Sequence, residues 1–176
     1  MGDERLRLFC ALQLPGETVE ALARWQSRHL SSGRIVPPEH LHVTLAFLGS
    51  RPAVDVPAIV RELAAASAAA APILLRSGRY RETRSVGMVV LDDVGGGATA
   101  VAEDLGERLE HLGVYRREAR PWLPHVTVLR FRERPRLDPP LPELGEVVPS
   151  DAAVYLSRLR PDGAHYEALE HVALSH

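Results

Sequence analysis

The 176-residue chain has a single cysteine and contains neither lysine nor asparagine. With Cys10 alone, no internal disulfide can form, and a cysteine-based zinc site is excluded with it. Cys10 lies between Phe9 and Ala11 in an apolar run, which reads as a small buried hydrophobe rather than a reactive thiol. The missing lysines leave 21 arginines as the whole basic complement. Together with the alanine-rich stretch from Ala64 to Ala71, this reads as a coding bias toward GC, not as function. A long hydrophobic run is also lacking: the apolar stretch near the N-terminus is broken by Arg7 and Gln13. It fits neither a signal peptide nor a membrane span, so the expected compartment is the cytoplasm. Nor is there a large charge excess. Twenty-one basic against 23 acidic side chains give a net charge of −2, which argues against a protein that coats long nucleic acid by neutralising many phosphates. A small anionic ligand at one local basic site is compatible with that balance. With 45% hydrophobic and 25% charged residues, the chain is expected to form one domain over 1–176, large enough to fold without a metal or disulfide staple.

Hydrophobic periodicity supplies the elements. Leu6, Leu8, Cys10, Leu12 and Leu14 alternate, predicting a strand over 6–14 that Pro15-Gly16 ends. Val19, Leu22, Ala23 and Leu30 recur at helical spacing over 18–30, with Glu17 and Glu20 near the start and Arg28 and His29 near the end, as the helix dipole favours. Further strands are predicted at 42–48, 73–80, 86–91, 125–129, 153–159 and 166–174, and further helices at 56–70 and 99–112. This order implies an α+β fold with antiparallel sheets. The five prolines between 132 and 149 make that stretch a loop.

The chemistry resides in a repeated tetrapeptide, His42-Val43-Thr44-Leu45 and His125-Val126-Thr127-Val128, whose copies lie 83 residues apart, close to half the chain. Each follows prolines and lies among strand formers. Residues i and i+2 of a strand share a face, so each copy offers one imidazole and one hydroxyl together. Two related lobes facing each other across a cleft would supply an acid and a base, with two hydroxyls to bind a phosphoryl oxygen. An anionic substrate is supported by seven arginines between Arg116 and Arg136 against only Glu118 and Glu133, most of them expected to form a solvated basic face. Arg130 follows the second motif, but alternation puts it opposite His125 and Thr127. It reaches the cleft only if the strand bulges or ends near Leu129.

These residues resemble the 2H phosphoesterase superfamily, and within it the RNA 2′,3′-cyclic phosphodiesterases (LigT-like, historically 2′-5′ RNA ligases). The resemblance runs through Arg7-Leu8-Phe9-Cys10-Ala11-Leu12, the stretches from Val36 to Gly49 and from Arg120 to Arg130, and finally Tyr155 to Tyr166. It implies a bilobal α+β fold, two pseudo-symmetric lobes whose antiparallel sheets line a central cleft. It also implies hydrolysis of a terminal 2′,3′-cyclic phosphate on RNA, or on a nucleotide, to a 2′-phosphate. His42 and His125 would be the catalytic pair, the family pattern making the first the proton donor to the leaving oxygen and the second the group that activates water. Thr44, Thr127 and Arg130 would bind the phosphate, with no cofactor and no metal. The reverse reaction is a 2′-5′ ligation. A monomer is expected.

Three other readings compete. His40 and His42 have the i, i+2 spacing of two metal ligands on one strand face, with His125 or His165 as a third; in the favoured reading His40 is a loop or strand-edge residue. A non-catalytic module binding RNA ends would have no need of two proton-transfer groups. A small cyclic phosphodiester such as ADP-ribose cyclic phosphate would keep the chemistry and change the substrate. Trp25 and Trp122 are expected in packing roles, with Trp122 near enough to His125 to line the cleft. Tyr155 and Tyr166 are expected in the core or at the rim, His29 and His111 at helix C-termini, and His171 and His176 in solvent.

Overall fold

The computed structural model describes residues 4–175. Its strands are β1 (Arg5–Gln13), β2 (Arg34–Ile35), β3 (His42–Pro52), β4 (Leu74–Glu82), β5 (Val86–Val94), β6 (His125–Arg130), β7 (Asp151–Arg160) and β8 (Gly163–Ala173). The helices are α1 (Gly16–His29), α2 (Val56–Ala69) and α3 (Gly97–Leu112). Each predicted element is present within a few residues. Only β2, two residues long with both side chains exposed, had no periodic signal to reveal it.

All strands belong to one antiparallel sheet in the order β4-β5-β6-β3-β1-β7-β8, with β2 alongside β6. The expected lobes are its two ends. One half holds β1, β3, β7 and β8, the other β2, β4, β5 and β6, and they meet at a narrow seam where Val43 of β3 pairs with Val126 of β6. One face carries Leu8, Cys10, Leu12, Val43, Leu45, Val126 and Val128 into a single core with Leu22, Ile59, Leu63, Leu105 and Leu109 of the helices. Burial of so many aliphatic side chains is the main favourable term in folding. The other face of the sheet is concave and forms the cleft.

Cys10 is fully buried in this core, and burial pushes its thiol up to about 12, so it is protonated and inert. The proline-rich segment is the expected loop, laid over the edge strand β4. Val147 pairs with Leu75 through two 2.8 Å backbone hydrogen bonds, Ser77 donates to the Pro142 carbonyl, and Trp25 Nε1 donates to that of Pro140. The Glu82 carboxylate accepts from Tyr80, Arg134 and the backbone N–H groups of Arg136 and Leu137. Covering β4 satisfies an edge that would otherwise be free to pair with another chain. Among the described residues, no helix is long and apolar enough to cross a membrane.

Candidate active site

The Val43–Val126 pair lies at the centre of the site. In an antiparallel pair, counting one residue outward each way sets His42 opposite Thr127 and Thr44 opposite His125. The seam is therefore a local pseudo-twofold axis, with each histidine opposite the other motif's threonine in the backbone register. All four side chains line one cavity of about 860 Å³ on the concave face, together with Arg130. Trp122 does not line it. Its indole donates to the Thr44 carbonyl across the seam at 3.1 Å, tying the second motif's approach to the first motif's strand.

The two histidines are held by the same device. His42 Nδ1 lies 2.8 Å from the His40 carbonyl, and His125 Nδ1 lies 2.8 Å from that of Leu123. A carbonyl only accepts, so Nδ1 carries the hydrogen in each ring, which leaves Nε2 as the cleft-facing atom that gains or loses a proton. The prolines make the device local. The short helical turn from Pro38 to His40 presents the His40 carbonyl, and Pro124 keeps Leu123 extended immediately before β6.

Their surroundings differ. The His42 ring stacks on Phe9 at 5.0 Å and meets Tyr166 edge-on at 5.8 Å, while Phe9 stacks in turn on Tyr155. Burial among these rings lowers His42 to about 4, helped by the positive fields of His40, His125 and Arg130 and opposed by the bond to the His40 carbonyl. In the free protein His42 is thus a neutral imidazole at neutral pH, and Thr44 Oγ1 donates to its Nε2 at 2.9 Å. His40 is also lowered by burial, and its ring lies 4.1 Å from that of Tyr166. Tyr166 is a rim residue of the cleft. Among the described residues, no three His, Cys, Asp or Glu side chains are grouped to hold a metal ion.

Arg130 reaches the cavity through a bulge. On β5, Met88 pairs with Thr127 and Gly87 with Leu129, so Val128 is an extra residue on β6. Val128 and Leu129 both enter the core, and Arg130 returns to the cleft. The first motif does the same. On β1, Ala11 pairs with Thr44 and Cys10 with Ala46, leaving Leu45 as the extra residue, and Phe47 returns to the cleft half-exposed. Phe47 thus occupies the offset in the first motif that Arg130 occupies in the second. The sequence reading missed it, although aligning His-Val-Thr-Leu-Ala-Phe with His-Val-Thr-Val-Leu-Arg would have indicated the position.

The bulge on β6 is fixed from behind by Gln26 of α1, which is fully buried. Its amide nitrogen donates to the carbonyls of Val128 and Val36 at 2.8 and 3.0 Å. The remaining basic residues of the Arg116–Arg136 stretch behave as a charged surface: Arg117 pairs with Glu110, Arg120 with Glu118 and Arg134 with Glu82. His29 and His111 lie in the last turns of α1 and α3 as expected. His171 pairs with Asp151 in an exposed position, and His176 lies outside the described residues.

The chain is similar to known proteins over nearly its whole length. Residues 12–84, which include the first motif, match the family model described as LigT like Phosphoesterase. A Thermus thermophilus protein named RNA 2′,3′-cyclic phosphodiesterase is 32% identical over 182 residues, covering 96% of this chain and 90% of the relative. A protein of the same name from Escherichia coli is 28% identical, covering 98% and 99%. The crystal structure of E. coli LigT complexed with 3′-AMP superposes with a TM-score of 0.81 at 27% identity, over 98% of this chain and all of that one. Paired His-x-Thr strands facing one cleft, in a sheet that matches these relatives nearly end to end, place the chain in the LigT-like phosphoesterase family.

Proposed function

We propose that this cyclic phosphodiesterase opens a 2′,3′-cyclic phosphate at the 3′ end of RNA to a 2′-phosphate and a free 3′-hydroxyl, by acid–base catalysis between His42 and His125. The observation that carries the reading is the matched pair of Nδ1-locked imidazoles, which present Nε2 to one cavity beside two hydroxyls and an arginine. His125 takes a proton from water as the water oxygen attacks phosphorus. The bond from phosphorus to O3′ breaks, and His42 gives its Nε2 proton to that oxygen. One histidine gains a proton and the other loses one, so the next turnover requires only their exchange with solvent.

His42 is neutral in the free protein, so its charged form depends on the substrate anion. A phosphoryl group at Thr44, Thr127 and Arg130 adds a negative charge beside a desolvated ring, which raises its proton affinity. Thr44 then turns its hydroxyl from Nε2 to a non-bridging oxygen. Thr127 and Arg130 bind the charge that grows in the transition state. Phe47 is half-exposed, with the Arg7 guanidinium 4.9 Å from its ring centroid, and the part of the ring left open offers an aromatic surface on which the terminal base can stack. Each half of the sheet contributes one histidine, so the chain acts as one catalytic domain, and a monomer contains the whole site. The expected setting is the cytoplasm.

The test is incubation with a short RNA ending in a 2′,3′-cyclic phosphate, with and without EDTA, and mapping of the product phosphate. A 2′-phosphate formed in both conditions and reduced about 10²- to 10⁴-fold in His42→Ala and in His125→Ala is expected. A 3′-phosphate product would overturn the assignment of O3′ as leaving group, and turnover abolished by EDTA would overturn the two-histidine mechanism.

A further inference from the structure

Strand β2 has no role in the core. Both of its residues, Arg34 and Ile35, are exposed, yet several features hold it against β6. Gly33 adopts φ +87°, a conformation that favours glycine, and a Cβ there would come within 2.8 Å of the Arg130 carbonyl. The Val36 N–H donates to the Val128 carbonyl at 3.1 Å, and the buried amide of Gln26 bridges the carbonyls of Val36 and Val128. The outcome of this arrangement is a register in which Arg34 lies directly opposite Arg130, both lining the cleft. Like charges in directly opposed positions destabilise a strand pair. Among the described residues, neither arginine forms an ion pair with a carboxylate, in contrast to Arg117, Arg120 and Arg134.

Two adjacent unneutralised guanidinium groups call for more than one negative charge. A cyclic phosphodiester carries a single charge, which Arg130 and the two threonines already serve. The substrate terminus is the 3′ end of a chain, so the next anion available is the internucleotide phosphate on its 5′ side. We propose that Arg34 forms a second anion subsite, which binds that internucleotide phosphodiester and makes a polynucleotide end a better substrate than a mononucleotide. The proposal rests on the cyclic phosphodiesterase reading of the cleft.

Three substrates test it: a nucleoside 2′,3′-cyclic phosphate, the same molecule with a 5′-phosphate, and a dinucleotide ending in the cyclic phosphate. In the wild-type enzyme the dinucleotide is expected to exceed the first substrate in kcat/KM by about 10-fold, the scale of one charge-assisted hydrogen bond. Arg34→Gln is expected to erase that advantage while leaving the mononucleotide without a 5′-phosphate within about twofold, and Arg34→Lys to restore part of it. Equal loss on all three substrates would place Arg34 at the reacting phosphate and overturn the subsite. An unchanged dinucleotide preference would also overturn it, as would an effect confined to the 5′-phosphorylated mononucleotide. Calorimetric binding of the products, a nucleoside 2′-phosphate and a dinucleotide 2′-phosphate, separates the two readings. If turnover is absent but binding keeps an Arg34-dependent preference for the dinucleotide, the phosphodiesterase reading alone fails. If binding shows no such preference, the subsite fails.

Discussion

The two motif strands share a backbone plan and differ in what they do with it. β3 and β6 each begin on a histidine whose Nδ1 is tied to a carbonyl two residues back, continue to a threonine on the same face, and take one extra residue directly after it. The same offset beyond the bulge then delivers Phe47 in one half and Arg130 in the other. Aromatic rings crowd His42 and leave it neutral in the free protein. A repeated backbone plan supplies the geometry, while the one residue after each bulge sets the two halves apart, an aromatic ring on one side and a planar cation on the other.

Removing the cation should break the comparison most severely. Arg130→Ala is expected to lower kcat about 10²- to 10³-fold, the scale of losing a preorganised donor to the transition-state oxyanion. Arg130→Lys should recover only part of this, because an ammonium cannot reproduce the guanidinium's planar fork. Steady-state kinetics on a cyclic-phosphate RNA would check both, and wild-type kcat in Arg130→Ala would remove Arg130 from the chemistry.

The asymmetry of the histidines has a thermodynamic signature of the next size. His42 binds its proton at about 4 in the folded protein, well below its ordinary value of 6.5. The unfolded chain therefore takes up the proton first, and stability that is present above pH 6.5 is lost as pH falls from 6.5 toward 4. The contribution is on the order of 3 kcal/mol. Urea unfolding at about pH 7 and about pH 4.5, on either side of most of that window, should show a larger acid-induced loss in the wild-type protein than in His42→Ala. Equal losses would mean that the Phe9–Tyr166 cage does not desolvate the ring.

Phe47→Ala should weaken substrate binding by about 1–3 kcal/mol, the usual worth of base–aromatic stacking, and act on KM more than on kcat. Phe47→Tyr should be close to wild type. A pure kcat effect would indicate that Phe47 shapes the histidine pocket instead of holding the base.

The smallest expected effect concerns the bulge on β6. Gln26→Met leaves the Val128 and Val36 carbonyls without the amide donor, which costs about 1–2 kcal/mol of stability and loosens the residue that aims Arg130. The informative measurement is a double-mutant cycle on kcat. Gln26→Met should lower turnover in the wild-type background and have little further effect in Arg130→Ala, because both act through the same group. Full additivity would reduce Gln26 to a packing residue.

Much of this was legible in the residues. Alternation placed β1 and the motif strands, 3.6-residue periodicity placed α1, α2 and α3, and the prolines marked the loop over β4. Arg130 shows where reading stops. Simple alternation turns it away from His125, and only the pairing of β6 with β5 reveals that Val128 is inserted and the parity reversed. Phe47 escaped for the same reason. β2 is too short for any period to show, and its importance lies in a cross-strand register that no local pattern encodes.

By itself the sequence determined which segments become strands and helices, that two matched His-x-Thr units exist, and that alternation sets each histidine and its threonine on one face. These depend on periodicity and residue type, which act over a few neighbouring positions. The tertiary structure decided that the two units meet at Val43 and Val126, that bulges return Phe47 and Arg130 to the cleft, that His42 loses its water, and that Arg34 lies beside Arg130. Each of these arises from contacts between segments far apart in the chain, where pairing register and burial are set by the neighbouring strand rather than by the local sequence.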